Sequence, residues 1–417
     1  MRILLATLGS LGDLHPVLGL GTELRSHGHS VLIATSESHR AVVEAASLSF
    51  AAICPSLKAD PDRAGELFSQ RRAPEILIRD IVMPVVREMY EGLLPLVQVA
   101  DLLVASELIY PAPAISEISG VPWLSVITAP ASFFSAYDPA VIPQAPFLHG
   151  LRHLGPWTHH VLKVLFRLFT VNWYTPLRRL RRELGLPRIQ NPIFDAKHSP
   201  YGSLAIFSRC LGAPQSDWPS SAIQTGFIFY DGTQQAPDSL RRYLDGGEPP
   251  LVFTLGSAAV HAAGDFYQVA FGASQRLRRR AVFLLGNNVA PEISSDDFYF
   301  ASYVPYSLVF PRAAAVVHQG GIGTCAQTLR AGCPSLVMPF AFDQLDNAHR
   351  MVRLGAGRYL PRNRLSVNAM IRELQPLLTC SGFRTKAVQT SREIAQEQGV
   401  YLAARAIESV GRAEPPA

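Results

Sequence analysis

The chain has 417 residues, of which 48% are apolar and 17% charged, and it carries a formal net charge of +5. That length allows two or three domains, each with a core of its own, and the composition excludes a disordered chain. The positive balance is too small to call for nucleic acid, but it suits an anionic small substrate or contact with an anionic membrane.

Residues 2–7 form an apolar strand, residues 9–13 a glycine-rich turn, residues 16–27 a helix closed by Gly28, and residues 30–34 the next strand. This succession predicts a βαβ unit. The amino-terminal residues enter a strand at once, without the long apolar stretch and small-residue cleavage site of a signal peptide, so secretion is not expected. The turn contains Gly9, Ser10, Gly12, Asp13, His15 and Pro16. It lacks the Gly-x-Gly-x-x-Gly dinucleotide fingerprint, and no nicotinamide cofactor is expected. A helix-capping Asp with a proline in the first turn is the bland reading. The chemical reading places Asp13 or His15 at the carboxyl end of the first strand as a general base for an acceptor hydroxyl.

Apolar runs at 102–105 and 123–127 continue a parallel sheet. Residues 151–183 then interleave Trp157, His159, His160, Phe166, Phe169, Trp173 and Tyr174 with Arg152, Lys163, Arg167, Arg178, Arg179, Arg181 and Arg182. One reading is an amphipathic helix pair covering an acceptor pocket in the first domain. The other is an interfacial segment that makes peripheral contact with the membrane, its arginines at lipid head groups. No proline-free run approaches the ~20 apolar residues of a transmembrane helix, so a spanning chain is not expected.

Residues 224–250, rich in Gly, Pro and Asp, read as a linker. A second βα rhythm follows at 251–255, 281–284, 298–301, 314–317 and 335–338. The expected organisation is two doubly wound Rossmann-like α/β domains facing across a cleft. Domain 1–223 would bind the acceptor and domain 251–380 the nucleotide-sugar. A helical segment, 381–417, would pack across both, with a frayed end at 414–417. Five cysteines without paired spacing fit a reducing cytoplasm and argue against disulfides or a zinc site.

The densest signal lies in the second half. His318, Gly320, Gly321, Gly323 and Thr324 fall between an apolar strand and a predicted helix at 325–331. Unpaired amides at a helix start, on a backbone that glycines leave open, suit a diphosphate. Asp343 and Gln344 follow the next strand, and a carboxylate beside a carboxamide suits sugar hydroxyls. Read singly, the glycines make a tight turn, His318 a structural histidine and Asp343 a helix cap.

Together these motifs resemble the nucleotide-sugar glycosyltransferases with two Rossmann-like domains, the GT-B, UDP-glycosyltransferase-like family. The likeness runs from Gly9 and Asp13 through Gly256 and Ser257 to His318 and Asp343. Within the family the sequence is most similar to the bacterial rhamnosyltransferases of rhamnolipid synthesis. The matching segments begin at His198, Gln215, Thr225, Phe229 and Phe340. The resemblance implies that Ser257, His318, Gly320, Gly321, Gly323 and Thr324 bind the diphosphate. It implies that Tyr303 and Val304 meet the nucleobase, though core packing is the plain alternative for Tyr303. Asp343 and Gln344 would hold the donor sugar, and Gly9, Ser10 and Gly12 would lie near the acceptor. The base position of relatives matches Asp13 and not His15. Plant members carry a ribose-binding Glu eight residues after the motif histidine, where this chain has Ala326.

No cofactor and no metal are expected, the dTDP- or UDP-sugar being a co-substrate; Asp296 and Asp297 read as solvated surface. The expected activity is inverting transfer of a hexose or deoxyhexose to a hydrophobic acceptor, preferentially a hydroxy-fatty-acid-type lipid. Alternatives are a sterol, polyketide or other aglycone acceptor, a sugar-nucleotide epimerase, or a non-catalytic helper of a partner transferase. The expected location is the cytoplasm, peripheral to the inner face of the membrane if residues 151–183 make that contact.

Overall fold

The computed structural model describes residues 1–54, 67–68, 72–232, 234–291 and 295–411. Residue 233 of the expected linker and the expected frayed end at 414–417 lie outside the described residues. Those within Met1–Asp60, Arg72–Tyr230 and Glu397–Ala417 form one compact unit, and those within Pro61–Arg71 and Asp231–Gln396 form a second.

The first unit is built on seven strands: β1 (Arg2–Ala6), β2 (Ser30–Thr35), β3 (Ser49–Ala52), β4 (Leu102–Ser106), β5 (Trp123–Ile127), β6 (Ser203–Ala205) and β7 (Ala222–Gln224). They pair in the order β3-β2-β1-β4-β5-β6-β7, every pair parallel. Period-two alternation along β1 sends its side chains to two separate cores. Ile3 and Leu5 pack with Leu14 and Leu18 of the helix Leu11–Ser26 and with Ala403 and Ile407 of the helix Gly399–Val410. Leu4 and Ala6 pack on the opposite face with Met89 and Leu93 of the helix Val86–Gln98. Helices on both faces explain why the central strands read as unbroken apolar runs. Each fully buried leucine contributes about 1.5–3 kcal/mol.

The second unit has six strands: β8 (Leu251–Thr254), β9 (Ala281–Leu284), β10 (Phe298–Ala301), β11 (Ala315–His318), β12 (Ser335–Val337) and β13 (Gly357–Tyr359). Their order is β10-β9-β8-β11-β12-β13, again all parallel. In both sheets the chain moves outward from a central strand and then returns to that strand's other side. The reversal falls between β1 and β4 in one sheet and between β8 and β11 in the other, and ligands of such sheets bind beyond the carboxyl ends of the strands at that point.

Three details differ from the sequence reading. The first helix begins at Leu11 and not near Pro16, because Ser10 and Asp13 cap it reciprocally and draw residues 11–15 into helical conformation. Strands β3, β6, β7 and β13 were not expected. The helical tail is two helices, Ser381–Ala395 and Gly399–Val410, broken where Gly399 passes against the Phe227 carbonyl; a Cβ there would lie 2.1 Å from that oxygen.

Candidate active site

In the first unit the chain leaves β1 through Gly9, whose φ is +131°. A Cβ on Gly9 would fall 2.3 Å from Asp13 Oδ2, so the missing side chain makes room for the carboxylate. Asp13 Oδ2 accepts from the Ser10 amide at 2.8 Å and from the Ser10 hydroxyl at 3.2 Å, while Ser10 Oγ accepts from the Gly12 amide at 3.2 Å. The bland reading of this turn is therefore true as far as it goes: Asp13 is a helix cap. No other residue among those described donates to its Oδ1. Asp13 is half-buried, and loss of solvent raises its pKa to about 6, against the lowering effect of the Ser10 hydrogen bonds and with a further push from the negative charge of Glu107. A carboxylate with one oxygen fixed, one open and a pKa near neutrality has the properties of a general base. The His15 ring packs against Tyr230, centroids 5.6 Å apart.

Glu107 follows β4 at the same edge of the sheet. It binds Lys197, which is only 9% exposed, at 3.0 Å. Lys197 in turn lies over the Phe134 ring. The sequence reading did not single out either residue of this pair.

In the second unit both strands at the reversal end in glycine turns. After β8, Gly256 has φ +68°, and the space of its missing side chain is taken by Gln319, whose Nε2 would lie 2.3 Å from a Cβ. Ser257 follows, exposed. After β11, His318 is wholly buried and its Nδ1 accepts the Gly320 amide at 3.1 Å. That bond assigns the imidazole proton to Nε2. Burial pushes the His318 pKa down to about 3, so the ring is neutral near pH 7. Nε2 is buried and has no hydrogen-bond partner among the described residues. An unmet buried donor costs about 1–3 kcal/mol, which a ligand acceptor would relieve. The Gly320 amide, expected to face a phosphate, is spent on orienting this ring. Gly320 itself has φ +87°, and a Cβ would strike Val337 at 2.6 Å.

Gly321 is the N-cap of the helix Ile322–Arg330, and no side chain caps it. The first-turn amides of Ile322, Gly323 and Thr324 have no carbonyl to meet within the helix. Thr324 is buried, and its hydroxyl belongs to a protein network. Tyr306 binds both Thr254, at 3.0 Å, and Thr324, and Gln319 Nε2 reaches Thr324 Oγ1 at 3.4 Å. Gln319 Oε1 is buried and unpartnered among the described residues. Gln319 and Tyr306 are thus part of the arrangement although sequence reasoning passed over them. The only signal for Gln319 was its place between His318 and Gly320.

Beyond β12 the chain turns at Phe342, a non-glycine residue at φ +58°. Asp343 is the N-cap of the helix Gln344–Arg353; its Oδ2 accepts from Asn347 Nδ2 at 2.7 Å. The same nitrogen donates to the Gly320 carbonyl at 2.9 Å, joining the β11 and β12 loops. Gln344 Oε1 accepts the amides of Phe340 and Ala341 at 2.8 and 3.0 Å, so this oxygen shapes the loop. Tyr303 is 45% exposed and can present a ring face, whereas Val304 is buried with Val282, Val309 and Val316 and can offer a base only its backbone. Asp296 and Asp297 are exposed. Among the described residues no three His, Cys, Asp or Glu side chains gather as a metal site would require.

Two doubly wound parallel sheets, one with a carboxylate capping its helix start and the other with an uncapped helix start at the point of reversal, are the arrangement expected of a GT-B glycosyltransferase, and the comparisons with known proteins agree. Residues 281–401 match the family model of the erythromycin biosynthesis protein CIII-like C-terminal domain. Over 98% of its length the chain is 32% identical to O-mycaminosyltylonolide 6-deoxyallosyltransferase of Streptomyces fradiae, covering 97% of that protein. Among solved structures it resembles the glycotransferase of kitacinnamycin, with a TM-score of 0.73, 21% identity and 98% of both chains covered. It also resembles the spinosyn rhamnosyltransferase SpnG complexed with thymidine diphosphate, with a TM-score of 0.72, 19% identity, and 98% of this chain and 100% of that chain covered. The protein belongs to the GT-B family of nucleotide-sugar glycosyltransferases.

Proposed function

We propose that the protein transfers a deoxyhexose from a dTDP-sugar, with inversion and without a metal, to a hydroxyl of a hydrophobic polyketide-type aglycone. The observation that carries this reading is the buried, unpartnered Nε2–H of His318 beside an uncapped helix start. It is a neutral donor ready for a diphosphate oxygen. The deoxysugar and the aglycone are favoured by the name of the Streptomyces fradiae relative, and the thymidine nucleotide by the ligand of SpnG. The second unit would then serve the donor and the first the acceptor.

In this mechanism the open oxygen of Asp13 takes the proton of the acceptor hydroxyl as the acceptor's own oxygen bonds to the anomeric carbon. The bond from that carbon to the diphosphate breaks, and its electron pair leaves with the nucleotide. His318 Nε2–H and the amides of residues 322–324 stabilise the growing negative charge. The Asp343 carboxylate, oriented by Asn347, accepts from sugar hydroxyls, Tyr303 stacks on the base, and Ser257 adds a hydroxyl at the β8 end. A hydroxy-fatty-acid acceptor is the second reading, favoured by the exposed apolar and basic residues of 151–183.

The test is incubation of purified protein with a panel of dTDP- and UDP-sugars, with a macrolide aglycone, a sterol, a hydroxyalkanoyl lipid or no acceptor, read by mass spectrometry. A glycosylated macrolide formed from one dTDP-deoxysugar supports the first reading, and a glycosylated lipid moves the assignment to the second. Donor turnover into an isomeric sugar nucleotide with no acceptor present would overturn both.

A further inference from the structure

The helix Pro156–Phe169 is turned the wrong way for a water-soluble surface. It is held to the core by Phe166 and the buried Thr158. Its outer face carries Trp157, Val161, Val164, Leu165 and Leu168, the i, i+4, i+7, i+8, i+11 rhythm of one helix side. All five are at least 50% exposed. Leu154 and Phe147, on the turns just before the helix, and Phe169 at its end extend the same kind of surface, at 60%, 76% and 66% exposed. A contiguous apolar surface left open on a folded protein marks a docking site.

Charge identifies the occupant. From Asp138 to Glu183 the chain has no acidic residue between these two, and seven Lys or Arg. Arg152, Arg179 and Arg182 are exposed, and none of the three makes an ion pair with an acid among the described residues. A second copy of the chain would bring the same positive charge against itself, which disfavours pairing through this face. An anionic lipid surface offers both complements at once: head groups for the arginines and an acyl boundary for the stripe. Trp157 and Phe169, at the two ends of the helix, are the amphipathic and apolar anchors such a surface takes.

We infer that this segment is a peripheral membrane-docking element that seats the helix Pro156–Phe169 in the interface of an anionic bilayer. The experiment is sedimentation of the full chain with vesicles of pure phosphatidylcholine and with vesicles of equal parts phosphatidylcholine and phosphatidylglycerol. The expected result is binding to the anionic vesicles, little to the neutral ones, and release as salt is raised. The double variant Val164→Glu with Leu168→Glu should lose binding by ~10-fold or more, since it puts charge where the acyl boundary lies. Arg179→Glu with Arg182→Glu should weaken it while the stripe stays intact. Both variants touch exposed side chains, and an unchanged unfolding temperature and circular dichroism show that the fold survives. Equal binding to both vesicle types, or a Val164/Leu168 variant that sediments like the parent, overturns the inference. So does a dimer in light scattering that this variant dissolves while neither protein binds vesicles, which would make the stripe a contact between copies.

Discussion

Gly320 donates its amide to Nδ1 of His318 at 3.1 Å, and this bond decides which nitrogen of the buried ring carries the proton. The glycine motif therefore works in two parts. One of its amides sets the histidine, and the later ones, at the start of the helix Ile322–Arg330, have no carbonyl to meet within that helix. The carbonyl of the same glycine holds Asn347, which holds Asp343.

Replacing His318 with Ala should weaken binding of dTDP by about 1.5–3 kcal/mol, or roughly 10- to 150-fold in Kd, as expected for a hydrogen bond to a charged group. Isothermal titration with dTDP measures this directly. An unchanged Kd would show that Nε2 does not meet the nucleotide.

Asp13→Asn keeps an oxygen to accept the Ser10 hydrogen bonds but cannot take a proton. Turnover should fall by roughly 10²- to 10⁴-fold while dTDP affinity stays near that of the parent. Near-parental kcat in this variant would return the role of base to His15.

The same carboxyl sets a pH dependence. Its pKa is raised from 3.8 to about 6 in the folded protein, so the base is protonated in acid and kcat/KM should decline as pH falls below about 6. The sign for stability is opposite to that of a salt-bridged carboxylate. Ionisation is harder in the folded state than in the unfolded chain, so as pH rises from about 4 to about 6 this group takes stability away. Thermal unfolding of parent and Asp13→Asn at pH 4 and at pH 8 should show the variant gaining relative to the parent at the higher pH.

Gly399→Ala tests the break in the carboxyl-terminal helices. Its Cβ would lie 2.1 Å from the Phe227 carbonyl oxygen, and neither backbone can yield without moving a packed segment. A loss of about 1–3 kcal/mol in urea unfolding is expected. Full stability would mean that the two segments are free to separate there.

Much of this was legible in the sequence because buried parallel strands of four to six apolar residues leave an unmistakable trace. β1, β4, β5, β8, β9 and β11 all did so. β6, β7 and β13 have three residues each and sit toward the sheet edges, whereas β12, equally short but inside its sheet, continues as an apolar run to Met338. The helix after β1 starts five residues ahead of Pro16 because Ser10 and Asp13 cap it reciprocally, a pattern that uses Asp where the commoner capping box has Glu or Gln. In the second unit the residue types were readable from the sequence, but their contacts were not. Gln344 Oε1 shapes a loop, Val304 lies in the core, and Gln319 fills the space of a side chain that Gly256 lacks. Each depends on contacts between segments distant in sequence.

The two helix starts at the points of chain reversal differ by a single kind of group. In the first unit the Asp13 carboxylate sits on the helix's own amino terminus and neutralises it; in the second that terminus is left bare. A scaffold used twice thereby distinguishes its two ends by self-occupancy. One half carries its anion as part of the chain, and a diphosphate offered to it would meet like charge. The other half has no acidic residue in its first turn, and in the proposed reaction the anion there is the diphosphate of the donor.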